Sequence, residues 1–138
     1  MLFRSHEKRV GDHVRALIAS GIVTSAHDVS DGGIAVALAE MAMASGIGAT
    51  VPGLAGTDPI PVWFGEDQGR YLLTLSIDPQ SDEWDAIREQ QSKLGIFAPW
   101  IGSTGGSELK LGDARAIPVT ELTAAHEGWF PRFMDQAI

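Results

Sequence analysis

Two carboxylates, a hydroxyl and two glycines stand together in Asp28-Val29-Ser30-Asp31-Gly32-Gly33. Ahead of them runs the apolar stretch Ile22 to Ala26. After them comes Ile34 to Ala44, which holds one charge, Glu40. The order is strand, tight polar turn, apolar helix. It sets the unpaired N–H groups of a helix start beside the turn, where they can face an anion. Three readings are open. Ser30 or Asp31 can cap the helix while the glycines take positive φ. The N–H groups and Ser30 Oγ can hold a phosphate. Asp28 can hold Mg2+ against that phosphate, as hard carboxylate oxygens do. On chemistry alone the cap comes first. Two carboxylates repel a phosphate unless a cation lies between them, so Mg2+ and phosphate stand or fall together.

A second polar cluster is Phe64-Gly65-Glu66-Asp67-Gln68-Gly69-Arg70. One reading is a hairpin turn carrying an exposed Glu66–Arg70 pair, which is worth little. The other places Glu66, Gln68 and Arg70 at a domain interface or substrate groove. The remaining candidates are weaker. His27 and His126 have no local metal-ligand spacing, and a lone histidine beside a strand is usually structural. Gly102 to Gly106 is glycine-rich, yet it lacks the Lys-Ser/Thr of a phosphate loop and precedes a strand rather than a helix, so it reads as a turn. Outside the Asp28 turn itself no Ser lies near a His with an orienting acid, there is no Cys, and no catalytic residue is assigned to this chain.

Composition narrows the field. At 138 residues the chain has room for one domain with its own core. A formal net charge of −8 without a basic patch argues against nucleic acid. The absence of cysteine excludes disulfides and thiolate metal sites and fits a reducing compartment. No apolar run is long enough to span a bilayer, and Met1 to Arg4 lacks the apolar core of a signal peptide. Cytoplasm is the expected location, with no membrane partner.

The elements that must position the two clusters follow from periodicity. Glu7 to Ser20 reads as an amphipathic helix, with Val10, Val14, Leu17 and Ile18 on one face and Gly21 as its stop. Ile22 to Ala26 is a short strand. Gly33 to about Ser45 is a helix apolar on nearly every side, ended by Gly46. Ala49 to Val51 is a strand, and Pro52 to Pro59 a Gly/Pro-rich loop. Arg70 to Ile77 reads as a central strand covered on both faces. Ser81 to Leu94 is a helix with Asp82 and Glu83 in its first turn. Pro99 to Ile101, Ser107 to Leu111 and Ile117 to Val119 are further strand candidates, the last placed at an edge by Pro118. Thr120 caps a closing helix carrying Leu122, Ala125, Trp129 and Phe133. The expected fold is α/β (α+β): one mixed sheet of four to six strands, with about four helices mainly on one face.

The motifs resemble a known family. Ala26-His27-Asp28-Val29-Ser30-Asp31-Gly32-Gly33, followed by Ala35 to Met41, resembles the C-terminal domain of the aminoimidazole ribonucleotide (AIR) synthetase-like superfamily. Within it, the combination of motifs resembles the synthetase subunit (subunit II) of phosphoribosylformylglycinamidine synthase. Phe64 to Arg70 is similar to that family's Phe-[Gly/Ser]-Glu-x-x-x-Arg segment. Ile101 to Gly106 is similar to its Ile-Gly-x-Thr-Gly-Gly turn, and Pro118 to Met134 to its closing helix. The resemblance covers nearly the whole chain from about Glu7, so residues 1–138 are expected to form a single AIR synthase C-terminal-domain-like unit.

What the resemblance implies is an ATP-dependent, amidine-forming ligase of purine biosynthesis. Formylglycinamide ribonucleotide, ATP and glutamine-derived ammonia give the formylglycinamidine, with ATP and Mg2+ as cofactors. A glutaminase subunit and a small accessory subunit are the implied partners. The chain is far shorter than that enzyme. The N-terminal domains, with the family's catalytic histidines and most ATP and Mg2+ ligands, are not in it. The expectation is therefore a fragment, inactive alone, with Met1 an added start. The resemblance carries Asp28 over as a Mg2+ contact and Ser30, Asp31, Gly32 and Gly33 as the phosphate or nucleotide contact, at an auxiliary rather than catalytic site. A stand-alone nucleotide-binding module, or a purely structural assembly domain using the apolar second helix, are the alternatives.

Overall fold

The first helix, α1 (Leu2–Ala19), begins ahead of the expected Glu7. Val10, His13, Val14 and Leu17 recur at helical spacing and are its buried face. The computed structural model describes residues 2–53, 58–67 and 69–135. After Gly21, in the left-handed region at φ 79°, comes β1 (Val23–Asp28). It pairs antiparallel with β3 (Tyr71–Leu75), with Ala26 opposite Leu73 and Asp28 opposite Tyr71. β1 thus runs to Asp28, two residues past the expected end at Ala26, so the first acid of the turn sits on the sheet itself.

Alternation along β3 divides the core. Leu73 and Leu75 face α1 and α4 (Asp82–Leu94), where Leu17, Trp84 and Ile87 are buried. Leu72 points the other way, to Val29 and to Ala37 of α2 (Gly33–Ser45). Successive side chains of a strand point to opposite faces, so a two-stranded ribbon can serve two cores if both sides are covered. Trp84 completes the first core by meeting Trp100 edge-on, with ring centroids 5.3 Å apart.

The second sheet has the order β4-β2-β5-β6, from Ser103–Thr104, Ala49–Val51, Glu108–Leu111 and Ile117–Pro118. β2 runs parallel to β5; the β2–β4 and β5–β6 pairs are antiparallel. Leu109 turns inward, and β5 touches α2. A short α3 (Pro59–Phe64) starts at Asp58, whose Oδ1 accepts from Ile60 N at 3.1 Å. The chain closes with α5 (Val119–Asp135).

The α/β class with mixed strand pairing is as expected, and six strands are seen among the described residues. Their arrangement is finer than expected. Among the described residues they form two sheets rather than one, there are five helices rather than about four, and helices cover both faces of the β1–β3 ribbon. β3 is covered on both faces as expected, but β1 is its only strand neighbour among the described residues. Pro99 to Ile101 is not a strand: Pro99 has no N–H to give a ladder, and Trp100 and Ile101 turn into the two cores instead. The strand there is Ser103–Thr104, inside the stretch read as a plain turn. α3 falls at the end of the expected loop. Its proline at the first helical position and its Asp58 cap are the signals that mark it. The closing helix begins at Val119, so Thr120 lies within it and does not cap it.

Candidate functional site

The two polar clusters meet. β1 delivers Asp28 at its last position, its side chain 69% exposed. Val29 N–H then donates to Arg70 O at 2.9 Å, carrying the pairing one residue past the ladder. The Val29 side chain is buried under α2 and pins the turn from below. Ser30 and Asp31 are left exposed. Gly33 N–H donates to Ser30 O at 3.0 Å and closes the turn.

Gly32 and Gly33 lie in the left-handed region, at φ 80° and 69°. A Cβ on Gly33 would stand 2.7 Å from Trp63 O and 2.8 Å from Gly65 O. Only glycine lets the start of α2 approach the end of α3 so closely. Neither Ser30 nor Asp31 caps α2. The acceptor comes from the second cluster: Glu66 Oε1 takes the Gly32 N–H at 2.9 Å. A carboxylate at a helix start is stabilised by the helix dipole as well as by the hydrogen bond. The sequence signal for this contact is the acid itself, two residues beyond α3, but nothing local pairs it with a glycine 34 positions earlier.

Glu66 and Arg70 form no pair with each other. Arg70 donates to Gly65 O, and its guanidinium stands 3.9 Å from Asp67 Oδ2. Arg70 Nε is buried without a partner among the described residues. Gln68, the third residue expected here, lies outside the described residues. Together Asp28, Ser30, Asp31, Glu66, Asp67 and Arg70 line a cleft of about 350 Å³. Its four carboxylates supply hard oxygen donors of the type Mg2+ takes. Among the described residues no three acidic or histidine side chains converge to hold a metal. Asp28 alone could offer a metal only one side-chain ligand, and any others would have to be phosphate, water or another part of the protein.

His27 is structural in this geometry. Its Nδ1 lies 2.5 Å from Asp28 O and its Nε2 3.1 Å from Glu40 Oε2, so the ring ties the end of β1 to α2. It shares a second cleft, of about 580 Å³, with Glu40, Thr123, His126 and Glu127. The fold thus brings His27 and His126 to one surface, though not into a metal-binding group.

The sequence profile described as AIR synthase related protein, C-terminal domain, matches residues 4–111. The chain belongs to this AIR synthase related C-terminal domain family. Over 133 residues it is 89% identical to phosphoribosylformylglycinamidine synthase subunit PurL of Mesorhizobium japonicum, covering 96% of this chain and 18% of that one. PurL of Chelativorans sp. is 58% identical over 130 residues, 94% of this chain and 17% of that protein. The chain therefore spans less than a fifth of the length of these curated relatives. Among solved structures, PurLQS from Thermotoga maritima superposes with a TM-score of 0.68 at 19% identity, covering 85% of this chain and 21% of that one. T. maritima PurL complexed with ATP gives 0.67 at 19% identity, covering 84% and 21%. These likenesses show a shared fold. In this AIR synthase related domain the profile takes in the Asp28–Gly33 turn and the Glu66 loop, and ends before β6 and α5.

Proposed function

We propose that residues 1–138 form one domain, the C-terminal domain of the synthetase subunit of phosphoribosylformylglycinamidine synthase. The complete protein would be a cytoplasmic, ATP- and Mg2+-dependent ligase of purine biosynthesis, converting formylglycinamide ribonucleotide and glutamine-derived ammonia to the formylglycinamidine. Its other domains would lie on the same chain, and a glutaminase subunit and a small accessory subunit would complete the assembly. The observation that carries this reading is the 89% identity to a PurL subunit over nearly all of the chain.

Within that enzyme the Asp28–Gly33 turn serves an auxiliary nucleotide contact. Asp28 would be one Mg2+ ligand. Ser30 Oγ would meet a phosphate oxygen, and Asp31, Gly32 and Gly33 would hold the backbone of the turn. Glu66 and Arg70 act behind it, Glu66 by holding Gly32 and Arg70 by fixing the Gly65 carbonyl. When bound, Mg2+ would screen the cleft's carboxylates from the phosphate. None of these residues is placed in the bond-making step.

The test uses two preparations. The full-length synthetase should turn over formylglycinamide ribonucleotide with ATP and ammonia, while the 138-residue chain should not; turnover by the short chain overturns the reading. Calorimetry of the full-length protein with Mg-ATP, repeated on Asp28→Ala, addresses the turn. Loss of one class of nucleotide sites with turnover retained is expected. Unchanged binding removes the nucleotide role from Asp28. Tight Mg-ATP binding by the short chain would favour a stand-alone nucleotide module instead.

A further inference from the structure

The distal half of α5 carries four large apolar side chains, and the fold leaves them uncovered. Trp129, Phe130, Phe133 and Met134 are 62%, 58%, 57% and 48% exposed. They fall at helical spacing and form one stripe. Trp129 stacks on Phe133 with centroids 5.7 Å apart and planes 2° from parallel, and on Phe130 at 6.0 Å. The helix is anchored at its other end: Val119 is buried, and α5 packs on α2 and β6. The stripe is thus a fixed continuation of a docked element. An aromatic stripe so displayed marks an interaction surface rather than ordinary apolar scatter.

Two observations bear on what covers it. The domain profile ends at residue 111, before α5, whereas the match to a PurL subunit spans 133 of 138 residues and so takes in Trp129, Phe130 and Phe133. α5 therefore belongs to what this chain shares with the synthase subunits, beyond the common domain. Those subunits are more than five times as long as the matched region. We infer that the Trp129–Phe130–Phe133–Met134 stripe docks on another domain of the same synthetase polypeptide, fixing this domain against the rest of the chain. The inference rests on the functional reading above.

Hydroxyl-radical footprinting of the full-length synthetase tests it. The probe labels Trp, Phe and Met in proportion to their exposure. Docking takes the stripe from about 60% exposure to under about 10%, so labelling should fall about sixfold relative to the stripe left free. Unprotected residues in native synthetase overturn the inference. So does protection that disappears on dilution to a monomer, because the occupant is then a second copy. Turnover is measured on the same sample. Active synthetase with an unprotected stripe defeats this inference alone, and protected but inactive synthetase defeats the functional reading alone.

Discussion

Replacing Gly33 with alanine should be among the most damaging single-methyl changes in the chain. Two costs add. At φ 69° a residue with a Cβ sits in the left-handed region, which costs roughly 1–2 kcal/mol. The added carbon would also lie 2.7–2.8 Å from Trp63 O, Gly65 O and Phe64 C. All three are backbone atoms, so relief requires moving the end of α3, an overpacking cost of about 1–3 kcal/mol. The sum, about 2–5 kcal/mol, is a large share of the roughly 5–15 kcal/mol that holds a typical domain together. Gly46→Ala is the internal control. Its φ is 70°, and a Cβ there meets nothing within 4 Å, so it carries only the conformational cost. Urea unfolding of wild type and both variants separates the two contributions. Gly33→Ala should lose about 1–3 kcal/mol more than Gly46→Ala. In a thermal scan that excess is a further drop of several degrees. Equal losses would refute the close approach of α2 to α3, and with it the placement of Glu66 over Gly32.

Three further outcomes are expected. Glu66→Ala should cost about 1 kcal/mol by removing the acceptor of Gly32 N–H, while Glu66→Gln, which keeps a carbonyl oxygen there, should retain most of it; denaturation midpoints decide. His13 is buried with no partner for either ring nitrogen among the described residues, and burial lowers its pKa below the usual 6.5. The unfolded chain then binds a proton that the folded chain resists, so stability is intact above about pH 6.5 and falls below it by up to about 1.4 kcal/mol per pH unit until the folded form titrates. Denaturation between pH 5 and 8 should show the slope, and His13→Leu should flatten it. Trp84→Ala empties the α1–α4 core and removes the edge-on contact with Trp100; a loss of about 3–5 kcal/mol in chemical unfolding is expected.

The parts of the fold that could be read from sequence are those governed by local rules. α2 ends at Gly46, whose N–H returns to Ala42 O, and α4 starts at Ser81, whose hydroxyl accepts from Trp84 N–H. A glycine stop and a serine cap are written within a few residues of the bonds they make. The split into two sheets is not local. β2 pairs with residues of β5 that lie sixty positions further on, and its short span gives no hint of its neighbour. Ser103–Thr104 was hidden for the same reason. Two residues flanked by glycines look like a turn until β2 offers them a ladder. The site divides in the same way. Asp28 to Gly33 was visible as a turn at a helix start. That its cap is Glu66 follows only from the fold, which sets α3 against Gly33.

That cap changes what the turn can do. The Gly32 N–H is already taken by a carboxylate, so one of the groups best placed for an anion is occupied from within the domain. The cleft beyond it carries Asp28, Asp31, Glu66 and Asp67 against one guanidinium, and that guanidinium faces the Gly65 carbonyl. A phosphate brought there alone meets more like charge than opposite charge, and loses at close range what the helix dipole offers. A divalent cation reverses the balance, since carboxylate and phosphate oxygens then share it. With no three acids converging among the described residues, the domain could supply at most part of that coordination shell. On the proposed reading the turn would form one wall of a Mg2+–nucleotide site whose remaining ligands would come from elsewhere in the longer synthetase.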